Sequence, residues 1–334
     1  MFVDNVEPLQ CNGSETKRAS SLQVRVLNYK NKEMRKMKTA FECLPCVVKT
    51  VFESIKLATD DKVLQRQIFF ELVDEVKNYT EDNPPPEIAG DLFKKVKQLT
   101  GNHDPYFAIK KLGNDLMLRH IDGFREKIKN SADRLLTALE LSIAGNIIDY
   151  GINPNIDVEK VIAKILKTEE KRIKKECSKT FDYKNFRTDL AAAKTLLFIA
   201  DNCGEIVLDM LLLEEIKKFN PALEIKIAVR DSAILNDVTM EDAKYCSLDT
   251  VGEVSPSGSA APGTLLKNAN QKFLKLFYSS DIVLSKGQGN FETFDEKKGR
   301  QIYYLFMAKC SIVVDEIQRL VTSCNLMDII LLKN

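Results

Sequence analysis

Hydrophobic positions divide the chain into two stretches with different periodicity. Between about residues 41 and 190, apolar residues recur at helical spacing. From about residue 194 onward, short continuous apolar runs alternate with helical stretches. The first stretch predicts a helical domain. The second predicts a Rossmann-like α/β domain with a mostly parallel sheet flanked by helices.

The helical stretch predicts six amphipathic helices. Asn83-Pro-Pro-Pro86 separates the second from the third, because proline breaks a helix but is accepted in a first turn. The predicted helices are Val47–Leu57, Val63–Tyr79, Ile88–Thr100, Tyr106–Ile128, Ala132–Ile148 and Val158–Cys177.

The second stretch predicts five strands with helices between them. The predicted strands are Thr195–Ala200, Ile225–Val229, Thr250–Val254, Ile282–Leu284 and Ser311–Val314. The predicted helices are Ile206–Phe219, Met240–Tyr245, Thr264–Phe277 and Lys297–Ala308. We expect a flexible basic extension over 1–36, the helical domain over 37–190 and the α/β domain over 191–334.

The composition is that of a water-soluble globular protein. Of the 334 residues, 44% are hydrophobic and 29% are charged, and the net charge is +1. This balance gives no electrostatic reason to expect nucleic acid or a membrane surface as a partner. No apolar run approaches the roughly 20 residues of a membrane span, and the first residues lack an apolar signal core. We expect a cytoplasmic protein; its oligomeric state is open.

Polar residues follow two of the predicted strands. Asp201-Asn202-Cys-Gly-Glu205 comes directly after the first, and Asn236-Asp237 follows the second. Ligands of parallel α/β sheets bind beyond the carboxyl ends of the strands. With only two histidines in the chain, a metal here would need the oxygen ligands that Mg²⁺ and Mn²⁺ prefer. The alternative for Asp201-Asn202 is helix capping.

Neighbouring charges leave alternatives in the second loop. Asp231 competes with Asp237 for the ligand role, and Asp237 is also placed to cap the helix beginning at Met240. Arg230 is expected to pair with a phosphate or with Asp231.

A glycine-rich turn follows the strand at Ile282–Leu284. Lys286-Gly-Gln-Gly-Asn290 matches no nucleotide-binding fingerprint, but its backbone N–H groups and its lysine suit a phosphate. The alternative is a plain strand-to-helix turn. Lys309, predicted at the end of a helix, is by pattern a structural cation at a helix C-terminus.

Eight scattered cysteines indicate a reduced intracellular protein. Cys43-Leu-Pro-Cys46 suggests half of a zinc site, a redox pair or a packed helix start. Asn146 and Asp149 lie three residues apart near a predicted helix end, so they would share a face. Helix capping near Gly151 is their alternative.

Together these motifs resemble the damage-control phosphatase family of ARMT-like metal-binding proteins, over roughly residues 40–320. The paired cysteines are similar to those of its stand-alone CxxC subgroup. The motifs that carry the resemblance are Cys43–Cys46, Ala144–Asp149, Asp201–Glu205, Asn236-Asp237, Lys286–Glu292 and Ala308–Cys310.

The resemblance implies hydrolysis of small phosphate monoesters, such as sugar phosphates or damaged phosphometabolites and nucleotides, with Mn²⁺, Ni²⁺, Co²⁺ or Mg²⁺ as cofactor. It implies Asp201, Asn202 and Asp237 as metal ligands, with Asp201 and Asp237 catalytic. It also gives Lys309 a phosphate contact in place of its structural role. The implied substrate-binding residues are Asn146, Asp149, Glu205, Lys286, Gln288, Gly289, Asn290, Glu292 and Lys309.

Two other functions stay open at this point. One is an S-adenosylmethionine-dependent carboxyl methyltransferase, although the glycine-rich loop expected after its first strand is missing. The other is a non-enzymatic module in which the acidic cluster is a structural metal site.

Overall fold

A computed structural model describes residues 37–145, 179–294, 300–321 and 323–334. Six α-helices lie within residues 37–145. They are α1 (Cys43–Ala58), α2 (Lys62–Glu75), α3 (Pro85–Thr100), α4 (Phe107–Arg119), α5 (Ile121–Lys129) and α6 (Arg134–Ala144). A 3₁₀ turn, Val76–Asn78, extends α2. The predicted helix over Tyr106–Ile128 is divided at His120 into α4 and α5.

The remaining elements alternate between strand and helix. They are α7 (Tyr183–Ala192), β1 (Thr195–Ile199), α8 (Glu205–Phe219), β2 (Glu224–Val229), α9 (Met240–Tyr245), β3 (Glu253–Pro256), α10 (Gln271–Ser279), β4 (Ile282–Lys286), α11 (Gln288–Thr293), β5 (Ile302–Met307), α12 (Ser311–Leu320) and β6 (Ile329–Lys333). A 3₁₀ turn, Leu248–Thr250, precedes β3.

The six strands form one sheet in the order β3-β2-β1-β4-β5-β6. The first five are parallel, and β6 pairs antiparallel with β5 at the edge. The predicted fold class, a mostly parallel α/β sheet behind a helical N-terminal region, is confirmed. Strands β2 and β3 lie on one side of β1, and β4, β5 and β6 lie on the other. The strand order therefore reverses beside β1, which places a topological switch point at its carboxyl end.

Two predictions near the C-terminus are wrong. The helix predicted over Lys297–Ala308 is occupied by strand β5, and the strand predicted at Ser311–Val314 is the first turn of α12. Every residue of Ile302–Met307 is buried, so this strand has no exposed face and no alternating pattern. In a short run that is apolar at every position, periodicity does not distinguish a buried strand from a helix.

Three hydrophobic clusters organise the described residues. One joins α4–α6 to one face of the sheet, with Met117, Leu139 and Leu208 wholly buried in it. A second covers the other face with α10 and α12. The third lies among α1, α2 and α3. None of the helices in the described part is long and apolar enough to cross a membrane.

The predicted extension over 1–36 and the predicted helix over Val158–Cys177 lie outside the described residues.

Candidate metal and phosphate site

The loops after β1 and β2 are joined through their backbones. Asn202 and Asp237 form an isolated antiparallel bridge. The Val238 N–H donates to the Asp201 carbonyl at 2.9 Å, and the Cys203 N–H donates to the Asn236 carbonyl at 2.9 Å. The three predicted metal ligands are therefore held beside one another by main-chain hydrogen bonds.

Arg230 connects the two carboxylates of this group. Its side chain is 1% exposed, and its Nε donates to Asp237 Oδ2 at 2.6 Å. Its second terminal nitrogen lies 3.6 Å from Asp201 Oδ1. Of the two alternatives predicted for Arg230, the pairing with Asp231 is wrong, because Asp231 is exposed while Arg230 is paired with the buried aspartates. Asp231 is accordingly a poor competitor for a ligand role beside Asp237.

The buried carboxylates in this group oppose one another. Burial raises the pKa of Asp201 well above its usual value, the nearby carboxylates of Asp237 and Glu205 raise it further, and the Arg230 and Lys309 cations only partly offset this. Burial also raises the pKa of Asp237, although Arg230 opposes the shift. A cation bound between these groups would relieve both the burial cost and the repulsion.

Helix capping does not explain Asp201 and Asn202. The N-cap of α8 is Gly204, and no side chain caps that helix end. Asn202 instead donates from Nδ2 to Asp201 Oδ2 at 2.6 Å. Nor does Asp237 cap α9, since Thr239 and Asp242 form a capping box there. These polar side chains are thus not used as helix caps.

The donor set fits a hard divalent cation. It offers two carboxylates and one amide, and no group of three His, Cys, Asp or Glu side chains in the described ranges is arranged to hold a metal. Mg²⁺-type sites commonly use one or two carboxylates and complete their shell with water and substrate phosphate. Asp201, Asn202 and Asp237 match that pattern, which differs from an all-protein zinc site.

The turn after β4 packs directly on the carboxylate of Asp201. Gly287 has φ +83°, and a Cβ placed on it would overlap the Asp201 carboxyl group. A side chain at Gly289 would likewise meet the Pro262 carbonyl. The glycines therefore allow the turn to lie between the β1 loop and the Ala261–Gly263 segment.

The ammonium of Lys286 is bound inside the protein and does not face an open phosphate site. Its ammonium is wholly buried, donates to Ser142 Oγ at 2.6 Å and Asp209 Oδ1 at 2.7 Å, and lies 2.6 Å from Glu205 Oε1. Glu205 itself is 1% exposed. Lys286 thus supports the site from behind Glu205, tying α6 and α8 to β4, because its donors are engaged within the protein.

Asn290 is also an internal connector. It is 0% exposed, and its Nδ2 donates to the Lys286 carbonyl at 2.7 Å and the Ala200 carbonyl at 3.3 Å. Its Oδ1 accepts from Arg230 at 3.1 Å. It therefore joins the ends of β1 and β4 to the arginine that holds both carboxylates.

Gln288, Glu292 and Lys309 form the outer part of the site. Gln288 Nε2 donates to Glu292 Oε1 at 2.7 Å, while its Oε1 accepts the Lys309 N–H at 2.9 Å. Burial raises the pKa of Glu292 to about 7, although the Gln288 hydrogen bond opposes the shift. Lys309 is exposed, and its charge is near enough to Asp201 to oppose the rise that burial causes in the pKa of Asp201.

The setting of Lys309 corrects its predicted place at a helix end. It follows strand β5 and precedes α12, so it stands at the same carboxyl edge of the sheet as Asp201. Its sequence pattern was misleading because the preceding strand looked like a helix.

Asn146 and Asp149 lie outside the described residues, so their predicted substrate contacts stay predictions. The residue just before them is informative: Gly145 packs against the Cα of Glu205, where an added Cβ would lie at 3.1 Å. The end of α6 therefore lies against the start of α8.

Sequence reasoning missed the buried residues that support the site. Ser142, Asp209 and Thr264 each make hydrogen bonds to Lys286 or Arg230. Asp209 had a usable signal, since it is a carboxylate in the apolar run Ile206–Leu213. A charge in such a run predicts a buried ionic partner.

The paired cysteines begin a helix. Cys43 opens α1 and is partly buried, whereas Cys46 is exposed one turn later. No disulfide joins the six cysteines of the described part, Cys43, Cys46, Cys203, Cys246, Cys310 and Cys324.

Comparison with known proteins decides the family. The model of the damage-control phosphatase ARMT1-like domain matches residues 39–323. The chain belongs to this family. Its relatives include an uncharacterized protein, MJ0202, of Methanocaldococcus jannaschii, 33% identical over 283 residues that cover 83% of this chain and 90% of the relative. Assignment to the CxxC subgroup stays a prediction.

Two further relatives carry a functional name. Damage-control phosphatase PH1575 of Pyrococcus horikoshii is 31% identical over 84% of this chain and 95% of its own length. A damage-control phosphatase of Archaeoglobus fulgidus is 29% identical over 84% of this chain and 96% of its own length. The crystal structure of a DUF89 family protein from P. horikoshii superposes with a TM-score of 0.78 at 28% identity, covering 89% of this chain and 99% of that one.

Proposed function

We propose that this protein is a metal-dependent phosphatase that hydrolyses small phosphate monoesters in metabolite damage control. The observation that carries the proposal is the placement of Asp201, Asn202 and Asp237 side by side at the switch point of the sheet. The names of the relatives support the reaction class. Mn²⁺, Ni²⁺, Co²⁺ or Mg²⁺ fits the oxygen donors.

Asp201, Asn202 and Asp237 would hold the cation, and Arg230 would keep the two carboxylates in register. The bound ion would supply charge stabilisation to a phosphate oxygen during phosphoryl transfer. Lys309 is the exposed cation on the same edge and would contact another phosphate oxygen. The backbone of the Gln288–Asn290 turn, including Gly289, would provide N–H donors.

In the net reaction, the phosphorus–oxygen bond to the leaving alcohol breaks and one to a water oxygen forms. One proton of that water ends on the alcohol, and inorganic phosphate is the other product. Asp201 acts either as the nucleophile or as the group that orients the attacking water. Trapping of an aspartyl-phosphate distinguishes the two routes.

Substrate selection would fall to side chains around the metal. Glu205, Glu292 and the Ser255–Gly263 segment would border the site, and Asn146 and Asp149 would reach it from beyond α6. Carboxylates and amides here suit a leaving group rich in hydroxyls, such as a sugar. The small phosphorylated metabolite itself is a matter for a substrate panel.

The test is phosphate release from sugar phosphates and nucleotides by chelator-stripped protein, with each of the four metals added back. We expect turnover that requires metal and that Asp201→Ala abolishes. Absence of turnover with any metal, in protein shown by circular dichroism to be folded, would contradict the proposal.

A further inference from the structure

Helix α4 contacts the loop after β1 and the helix that follows the loop after β2, the two loops that carry the predicted metal ligands. It packs against α8, which follows the β1 loop, and against α9, which follows the β2 loop. Two of its buried polar residues, Lys110 and Asn114, are four positions apart and so share one helical face. Neither belongs to a motif that the resemblance or the proposed function uses.

Asn114 binds the first loop. It is 1% exposed, and its Oδ1 accepts the Gly204 N–H at 2.6 Å. Gly204 has φ +78°, a left-handed conformation between Asn202 and Glu205. A buried N–H that loses its acceptor costs the full desolvation of the group, so this bond stabilises one particular conformation of the loop.

Lys110 binds the segment after the second loop. Its ammonium is 3% exposed and lies 2.9 Å from Asp242 Oδ2 and 2.8 Å from Asp104 Oδ2. Asp242 also accepts the Thr239 N–H at 3.0 Å, two residues beyond Asp237. Lys110 therefore fixes the start of α9 and, through it, the end of the loop that carries Asp237.

We propose that Lys110 and Asn114 form a clamp that sets the separation of the two metal-bearing loops and thereby the affinity for the metal. The inference rests on the proposed function for the identity of the ligands. Both are positioning residues, because each acts through a loop. Partners that hydrogen-bond a metal ligand directly typically contribute about 10- to 100-fold to metal affinity, and Lys110 and Asn114 act one step further from the ion.

The test is a Mn²⁺ titration followed by electron paramagnetic resonance, on full-length protein and without substrate. Asn114→Leu keeps the approximate size but removes the acceptor, and we expect it to weaken Mn²⁺ binding by about tenfold or more. Asn114→Asp retains an acceptor oxygen and should bind Mn²⁺ no more weakly than wild type. Arg119→Met is the matched control, since Arg119 is exposed on the same helix and donates only to the Asp115 carbonyl within that helix among the hydrogen bonds of the described residues.

Lys110→Met tests the second loop and keeps the proposal testable if Asn114→Leu does not fold. We expect it to weaken Mn²⁺ binding by a similar factor while Arg119→Met leaves it unchanged. A purely structural role would lower the melting temperature of the metal-free variants without changing their Mn²⁺ dissociation constants well below that temperature.

The outcomes separate the clamp from the function. Unchanged Mn²⁺ affinity in folded Asn114→Leu or Lys110→Met, with wild type binding one ion, overturns the clamp and leaves the phosphatase standing. Wild-type protein that binds none of Mn²⁺, Ni²⁺, Co²⁺ and Mg²⁺ overturns both.

Discussion

Helices α1–α6 form two groups that relate to the site in different ways. Helices α1–α3 surround a hydrophobic cluster of their own, whereas α4–α6 bury their apolar faces in the same core as β1, β2 and α8. The second group also reaches the candidate site with buried polar contacts. Asn114 accepts the Gly204 N–H in the loop after β1, and Ser142 accepts from Lys286 at the end of β4. The first group approaches through α3, which contacts α11 and whose Lys97 donates to the Ala233 carbonyl in the loop after β2 at 2.7 Å.

This difference indicates that α4–α6 form one packed unit with the strands and helix that carry the site. The sequence instead predicts one continuous helical domain over 37–190. A domain boundary near residue 190 stays a prediction. The shared core indicates that α4–α6 would unfold together with the sheet, because a packed cluster behaves as one cooperative unit. None of the described residues of α1–α3 belongs to that shared core; their apolar side chains form a separate cluster.

The largest effect is expected at the loops themselves. Asp201→Asn should lower phosphate release about a thousandfold, because the variant loses a ligand and a charge at the reacting phosphate. Stability of the metal-free protein at neutral pH should not fall, since burial and the Asp237 and Glu205 carboxylates already disfavour ionised Asp201. Activity assays and thermal unfolding check both parts. Asp231→Asn, an exposed neighbour, is the control and should change neither.

Breaking the tie between α6 and the sheet should give the largest loss of stability. Lys286→Met leaves Glu205 and Asp209 buried without their cation, which we expect to cost about 3 to 5 kcal/mol of unfolding free energy. Urea unfolding measures this. Adding Asp209→Asn should recover part of the loss, and the exposed Lys275→Met should have little effect. A cost below about 1 kcal/mol would show that this network does not hold the region together.

A matched pair of core substitutions compares the two helix groups. Leu92 in α3 and Leu139 in α6 are both 0% exposed, so each Leu→Ala change should cost about 2 to 5 kcal/mol. We expect Leu139→Ala to weaken Mn²⁺ binding and Leu92→Ala to leave it unchanged, because only the former disturbs the core beneath α8. Equal effects of the two variants on Mn²⁺ affinity would remove the distinction between the groups.

The smallest expected effect concerns Glu292 in α11, where α3 meets the outer site. Burial raises the pKa of Glu292 to about 7, so the folded state holds a proton that the unfolded state has lost. Its contribution to stability is therefore present at low pH and is lost as the pH rises from about 4.5 to about 7. Glu292→Gln should remove up to about 3 kcal/mol of this pH dependence. Urea unfolding of both proteins at several pH values measures it, and parallel pH curves would contradict the assignment.

The sequence predicted the residues at the strand ends better than the elements that carry them. Asp201 and Asp237 stand out because polar groups end apolar runs, and parallel strands bring such ends to one edge. The β5–α12 segment was misassigned because a strand buried on both faces has no alternation. β6 was missed for a similar reason, since Ile329–Leu332 is buried throughout.

The supporting residues were harder to foresee because they depend on long-range contacts. Lys286 lies in a motif typical of phosphate binding, yet its partners Ser142 and Asp209 are distant in sequence. Arg230 had a plausible partner next to it in Asp231, and only the fold shows that Asp237 takes that place. Local spacing carries no information on such pairings.

The most direct test of the account follows Mn²⁺ occupancy and phosphate release in the same samples of chelator-stripped protein, for wild type and Asp237→Asn. We expect wild type to bind one ion per chain, with phosphate release rising in proportion to occupancy, and Asp237→Asn to lose both together. Full phosphate release from metal-free wild type, or equally tight Mn²⁺ binding by Asp237→Asn, would contradict it.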